Sequence, residues 1–516
     1  MKKKSILAIA ALLTFGQVAW AQSFTETETE KGTAEKPFLI ESIEDLNALA
    51  ADVNSGTDYS GVYFQLTDDL DYSGVSLCFD LDEDGNYDSN FTPIGCEDNN
   101  PETFDGDYPF NGIFNGGGNT ISGITIDQSD GLDIGIFGYI LGATIKNLTL
   151  ADCSFSGNMS VGSILGATYP TPNNLIENCH VTASVEVNGD TYVGGIVGYI
   201  DAGTVKNCAC EAEVTGADGV GGIAGQMYET TIEDCFYTGS SVFNGATKGI
   251  ITGDRGDSEN PGLEGTIKLT LFNDDTEAAI NNATRLIYYN AIEDVDVILS
   301  GRTLSKSQWN TLCLPFSMDA TQIAASSLNG ATIKELDTEN SNLAANGTLK
   351  LTFSDVSSIT AGKPYIVKWG AGDDISDPVF KGVTIDKTAP AAVTFTNNAN
   401  DNGGCEFVGQ YSPFSITDGN KNEIIMLGSG SKLGYSKNER TLKCFRAHFY
   451  VPANGGGALA RAFVMDFGDG ETTEIIGATA DQRSTSATYT LDGRRINDLP
   501  TQKGMYIQNG RKVIIK

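Results

Sequence analysis

Histidine is almost missing from this chain: only His180 and His448 occur among 516 residues. Neither stands at zinc-ligand or catalytic-triad spacing, so mechanisms built on imidazole find no support. The chain also lacks His-Glu-x-x-His, Gly-x-Ser-x-Gly and phosphate-loop patterns. Basic residues are few, 33 Lys and Arg against 67 Asp and Glu, for a net charge of −34. Such a surface repels nucleic acid and anionic lipid, because binding either requires Lys and Arg to displace condensed counterions. It favours solubility and cation binding instead. Beyond the N-terminal segment no apolar run reaches the ~20 residues that span a bilayer, so no membrane insertion is expected.

The N-terminus reads as a signal peptide over residues 1–21. Met1-Lys2-Lys3-Lys4 precedes an apolar run from Ile6 to Phe15, and Ala19-Trp20-Ala21 supplies the small residues of a cleavage site. The expected product starts at Gln22 and is exported, to the cell surface, the medium or the periplasm. No cysteine adjoins the cleavage point, so no lipid anchor is expected there.

One phrase recurs in the first half: Gly135-Ile136-Phe137-Gly138, Val161-Gly162-Ser163-Ile164-Leu165-Gly166, Val193-Gly194-Gly195-Ile196-Val197-Gly198 and Val220-Gly221-Gly222-Ile223-Ala224-Gly225. Its closing glycines lie about 28, 32 and 27 residues apart, a period that belongs to stacked repeats. Ile145, Ile176, Val205 and Ile232 are each followed two places on by Asn or Asp, then by Leu148, Cys179, Cys208 or Cys235. The broken alternation puts Asn147, Asn178, Asn207 and Asp234 at a bend, where an amide can bond backbone or the next rung. The cysteines then stand where leucine also stands, as small inward hydrophobes rather than disulfide partners. Cys78 and Cys96 are a separate pair whose bonding the spacing leaves open. Ser42 caps a short helix with Ile43, Leu46, Leu49 and Val53 on one face and Gly56 past its end, suited to covering the open end of a stack. About five rungs at ~4.8 Å each would make a stack of roughly 24 Å.

These phrases, with Pro93-Ile94-Gly95 and the Phe114 to Ile126 rung, resemble the GLUG-motif proteins of bacterial surfaces and secretions. The resemblance covers about residues 36 to 250 and implies a right-handed parallel β-helix. Ser163 and Asp133-Ile134 depart from the motif in single copies.

The expected fold class is all-β. A β-solenoid with an N-terminal cap occupies 22–252, followed by a linker at 253–264, a β-sandwich at 265–476 and a C-terminal β domain at 485–516. The linker spells Arg255-Gly256-Asp257, the integrin-binding tripeptide, which chance readily supplies in a polar segment. Strands are expected at Ile267 to Phe272, Val295 to Leu299, Leu349 to Phe353, Tyr365 to Trp369 and Phe463 to Phe467. Trp309 to Phe316, Ala361 to Val367 and Phe445 to Phe449 resemble a recurring all-β module of exported bacterial proteins, which adds architecture only. The tail carries hairpin signals at Asp492-Gly493 and Asn509-Gly510. Tyr489 to Arg495, Gly504 to Ile507 and Lys512 to Lys516 are similar to C-terminal sorting domains of type IX secretion; a plain terminal hairpin is the alternative.

The sharpest candidate site is Asp80-Leu81-Asp82-Glu83-Asp84-Gly85-Asn86-Tyr87-Asp88. Alternate carboxylates before a turning glycine can converge on a hard cation. Asp80, Asp82, Asp84 and Asp88, with the Asn86 carbonyl, would hold Ca2+. The stretch resembles calcium loops of EF-hand and thrombospondin-type repeats, but its twelfth position is Phe91 instead of a bidentate glutamate. A solvated acidic loop is the alternative. Parallel β-helices also include polysaccharide lyases and hydrolases, for which Lys146, Lys206, Glu177, Glu186, Glu211, Glu213 and Glu233 are the available groups. They sit singly, on strands short of basic groups, and read as a solvated outer face. Trp309, Trp369, Tyr365 and Tyr411 offer sugar-stacking platforms or buried core. The expected function is adhesin-like binding or display without catalysis, with a glycan or a surface protein of a host or neighbouring cell as partner. The rivals are a carbohydrate-active enzyme on the solenoid and a carbohydrate-binding module in the sandwich.

Overall fold

A computed structural model describes residues 31–81, 86–96, 107–168, 170, 173–239, 241–243, 248–249, 251–254, 265–274, 282–344, 346–396, 405–452, 460, 462–468 and 472–476, and strands at 488–490, 495–496, 504–508 and 511–515. The chain is mostly β and divides into two compact units, Met1–Leu269 and Thr270–Lys516.

The first unit is a β-solenoid of about seven turns. A complete coil has five short strands, as in Thr144–Lys146, Thr149–Ala151, Ser154–Ser156, Met159–Gly162 and Leu165–Thr168. Each pairs in parallel with its counterparts in the coils before and after, giving five parallel faces. Three-residue strands survive because every N–H and C=O is shared with neighbouring coils and one side chain per strand enters the core. On the first face an in-register inward column runs from Phe38 through Phe64, Phe114, Ile145, Ile176, Val205 and Ile232 to Ile267. All of these except Phe38 are at most 1% exposed. Full burial of one such side chain is worth roughly 1.5–3 kcal/mol, and stacking is what provides it.

The bend after the first face is built as the sequence suggests. Asn147, Asn178, Asn207 and Asp234 all adopt left-handed backbone, with φ of 55°, 53°, 53° and 51°. Asn and Asp enter that region at lower cost than other side-chain-bearing residues. Part of an amide ladder forms along them: Asn178 Nδ2 donates to Asn147 Oδ1 (3.2 Å), Asn147 Nδ2 to Asn115 Oδ1 (2.8 Å), and Asn115 Nδ2 to Gln65 Oε1 (2.7 Å). Leu148, Cys179, Cys208 and Cys235 follow, buried, and the three cysteines are free thiols. Their Sγ atoms donate to carbonyls of the wall, such as Cys208 Sγ to Lys206 O at 3.3 Å.

The repeated glycine phrase joins the fourth and fifth faces, and here the geometry is tighter than a corner. A Cβ on Gly166 would meet the Asp133 backbone at 2.2 Å, one on Gly198 the Ser160 backbone at 2.2 Å, and one on Gly225 the Tyr192 backbone at 2.3 Å. Asp133, Ser160, Tyr192 and Gly219 form their own left-handed column, with φ of 59°, 58°, 54° and 58°. The two faces thus press backbone on backbone, and glycine is required by contact rather than by turning. Ser163, the odd residue of its phrase, is accommodated by a hydrogen bond from its hydroxyl to Gly195 O (2.5 Å).

The helix Ile43–Asn54 is N-capped by Ser42, whose side chain accepts from Asp45 N. It buries Leu46, Leu49, Ala50 and Val53, with Ile43 only half-buried. Tyr72 Oη donates to Asn47 Oδ1 (3.0 Å), and Asn54 binds Pro93 O (3.0 Å) and Gly95 N (2.8 Å). The helix is therefore tied to two walls of the first turns, as a cap must be. At the other end Thr266–Phe272 pairs in parallel with Thr231–Glu233, so the stretch expected to open the sandwich continues the first solenoid face. Gly253 and Asp254, expected in the linker, belong to the fifth-face strand Thr252–Asp254. The tripeptide Arg255-Gly256-Asp257 lies outside the described residues, as does the leader 1–21.

In the second unit one sheet has the order Asn310–Cys313, Pro364–Lys368, Thr332–Leu343, Thr348–Asp355, Ala462–Asp466, Thr472–Ile476. Another has the order Val393–Phe395, Cys405–Gln410, Arg446–Tyr450, Ile424–Gly428, Lys432–Tyr435. Alternation in Thr348–Asp355 sends Leu349, Leu351 and Phe353 inward, where they share one core with Phe407, Ile425 and Phe449 of the other sheet. A four-stranded sheet at the C-terminus pairs Gly504–Gln508 with Arg511–Ile515 across Asn509-Gly510.

Candidate functional site

Polar contacts hold the residues that follow the acidic stretch to the solenoid. An antiparallel bridge between Phe79 and Ser89 closes the neck, which brings Asp80 and Asp88 to its two sides. Ser89 Oγ accepts from Asp127 N (2.9 Å), and Asn90 accepts from Thr125 N (2.8 Å) and donates to Gly123 O (2.9 Å). Phe91 is wholly buried and meets Tyr72 edge-on at 5.7 Å, so the twelfth position of the loop is a core anchor. Asp80, Asn86 and Asp88 are described, whereas Asp82 and Asp84 lie outside the described residues. Among the described residues no group of three or more His, Cys, Asp or Glu is placed to hold a metal. Beside the neck is a polar cavity of about 410 Å³ lined by Leu81, Pro93, Gly95, Gln128, Asp130 and Asp133.

The charged residues of the first face fall into one outward column: Lys146, Glu177, Lys206, Glu233 and Lys268 are consecutive in register. Signs alternate at every step, and Lys206 Nζ stands 3.0 Å from Glu177 Oε1. Four of the groups available to a lyase, Lys146, Glu177, Lys206 and Glu233, are therefore part of a column of alternating charge along the stack, with an ion pair at Glu177 and Lys206. Glu186 and Glu213 are in register on the third face, and His180, pointing outward, lies 3.4 Å from Glu211. His448 is buried, 3.2 Å from Gln410 Oε1 and stacked on Phe414, and burial lowers its pKa to about 4. Trp309, Trp369, Tyr365 and Tyr411 are all buried: Trp309 stacks on Phe467 at 4.7 Å, and Tyr411 Oη donates to Leu314 O. They are core residues rather than open sugar platforms.

A cluster the sequence did not reveal forms where the fourth and fifth faces adjoin. Asp201 and Tyr228 are partners in adjacent coils, and Tyr199 lies two residues before Asp201 on the same strand. The Tyr192 and Tyr199 rings stand 6.0 Å apart, both half-exposed. Asp201 is 5% exposed and its Oδ1 is buried without a hydrogen-bond partner. Burial, then the neighbouring Glu229 charge, raises the Asp201 pKa above the usual carboxylate range. Burial and Asp201 push the Tyr199 phenol up to about 12. Two carboxyl groups beside tyrosine faces can accept hydroxyl hydrogen bonds while an apolar ring surface is covered. Only the register between coils assembles this cluster; Tyr192, Tyr199, Asp201 and Glu229 follow no motif along the chain.

No protein-family profile matches the chain. It is 32% identical over 172 residues to Halomucin of Haloquadratum walsbyi, a stretch that is 33% of this chain and 2% of that protein. The chain thus spans a very small part of the curated relative it matches. A solved structure from Bacteroides ovatus, described provisionally as an immunoglobulin A1 protease, aligns with TM-score 0.35 and 23% identity, over 46% of this chain and 66% of that one.

Proposed function

We propose that this is an exported surface protein whose solenoid is a short, rigid binding rod, and that its ligand is a glycan held where the fourth and fifth faces adjoin. The observation that carries the reading is the Tyr192, Tyr199, Asp201 and Glu229 cluster, where aromatic faces and carboxyls meet on a half-exposed flank. The likeness to Halomucin, a surface protein, supports the location. In this reading the C-terminal sheet is the segment that directs secretion, and the alternating charge column of the first face is structural.

One observation favours a second reading. Asp201, buried and with its pKa raised by burial and by the charge of Glu229, gives with Glu229 the two-carboxyl makeup of a glycoside hydrolase. A glycan array probed with the intact mature chain, with Tyr199→Ala and Asp201→Asn beside it, separates the two. Binding that both substitutions weaken at least tenfold supports the rod. Binding unchanged by both overturns the site, and release of reducing ends that Asp201→Asn abolishes replaces binding with hydrolysis.

A further inference from the structure

The second unit contains a cavity of about 570 Å³ between the strands Ile424–Gly428, Lys432–Tyr435 and Arg440–Leu442 and the start of Arg446–Tyr450. Four cationic side chains line it, Lys432, Arg440, Lys443 and Arg446, and no Asp or Glu is among its described lining residues. On a chain with 67 acidic residues against 33 basic ones this is a marked local inversion of charge. None of the four makes an ion pair within 4.0 Å among the described residues, whereas Lys334, Lys350, Lys363 and Lys421 of the same unit all do.

Behind the cavity wall lies Arg302, 1% exposed. Its Nη2 donates to Thr311 O (2.7 Å), but Nε and Nη1 are buried with no hydrogen-bond partner. Thr311 is itself a lining residue, and its Oγ1 accepts from Ala447 N (3.1 Å), the residue next to Arg446. Burial and the like charge of Arg446 together pull the Arg302 pKa well below its ordinary value. Burying an arginine without a counter-charge is costly, and two cations facing one another add to that cost. An anion in the cavity would lower both costs. Leu433 and Ala447 give the same cavity apolar wall, enough to cover the body of a small ligand.

We propose that this cavity binds a ligand bearing an oxyanion (carboxylate, sulfate or phosphate), held by Arg446, Arg440, Lys432 and Lys443, with buried Arg302 supplying further positive potential. Planar guanidinium groups suit such oxygens because they bind them in pairs. Two of the three segments that resemble a recurring exported module reach the lining, through Thr311 and through Arg446 and Ala447, and the third pairs with the first, Pro364–Lys368 against Asn310–Cys313.

The test is calorimetric titration of the intact chain with sodium sulfate, sodium phosphate and sodium glucuronate at constant ionic strength set by chloride. Saturable binding of at least one probe is expected, weakened tenfold or more in Arg446→Gln and in the doubly substituted Lys432→Gln/Arg440→Gln chain. Lys381→Gln, an exposed site outside the cavity, should leave it unchanged. Preference for sulfate or phosphate identifies a free or esterified inorganic anion, and preference for glucuronate an acidic sugar. Lys432 and Arg440 are exposed, so the double variant keeps its fold even if Arg446→Gln does not. No heat from any probe, or equal affinity in the double variant, overturns the proposal.

Discussion

Gly198 and Ser160 touch through their backbones: a Cβ on the glycine would stand 2.2 Å from the Ser160 carbonyl carbon. The obstacle is main chain, which cannot rotate away. Gly198→Ala is expected to destabilise the protein by about 2–4 kcal/mol in urea unfolding. Gly74→Ala, where a Cβ meets nothing within 4 Å and φ is not positive, should change stability by less than about 0.5 kcal/mol. Equal effects would refute the contact.

The first-face ladder makes a prediction about salt. Glu177→Lys would place three like charges in consecutive register, Lys146, the new lysine and Lys206. Both partners of the existing pair are partly exposed, so the loss should be modest, about 0.5–1 kcal/mol at low ionic strength. It should largely vanish near 1 M salt, where screening acts over ~3 Å. A loss that salt does not reduce would mean the residue matters through packing.

The core cysteines should be chemically silent. Cys179 and Cys208 are buried free thiols with pKa values well above the ordinary one, Cys208 chiefly through burial and Cys179 through its bond to Cys208. A thiol reagent at pH 8 is expected to label exposed Cys78 promptly and Cys179, Cys208 and Cys235 only on unfolding. Prompt labelling of the last three, read by peptide mass mapping, would contradict the inward stack.

His448 makes folding depend on pH. Its pKa is lowered from 6.5 to about 4 by burial, so between those values the unfolded chain binds a proton that the folded chain does not. Stability therefore rises with pH across that window, is fully present above 6.5, and is lost as pH falls towards 4. The contribution is roughly 3 kcal/mol. His448→Gln should flatten that part of the pH profile of urea unfolding; an unchanged slope would assign it to other groups.

The solenoid was legible because its rules are local and repeated. Asn147, Asn178 and Asn207 announce a left-handed bend by residue type, and Cys208 announces an inward position by standing where Leu148 stands. The reason for the glycines was hidden, since the contact of Gly198 with Ser160 joins successive coils. The same holds for Asp201 beside Glu229 and for Arg302 behind Thr311, which are brought together by register and by sheet packing. Strand patterns show which way a side chain points but not which distant residue it will meet. Lys146 and Glu177 looked solitary in the chain for that reason, and Tyr365 could be read as core or as a sugar platform until the structure showed it buried.

Coil length varies where it costs least. Thr168 and Asn174 bound a longer passage between fifth and first faces, while Asp201 and Gly203 enclose a single residue, yet both lead into first-face strands of the same register. Each coil therefore recognises only the pattern of its neighbour, not its length or its place in the count. Duplication or loss of one coil leaves every remaining interface chemically familiar, so the rod's reach can change by unequal recombination in steps of ~4.8 Å. Its ends are the parts that cannot be copied: the helix Ile43–Asn54 fits one end of the stack and has no counterpart to pair with inside it.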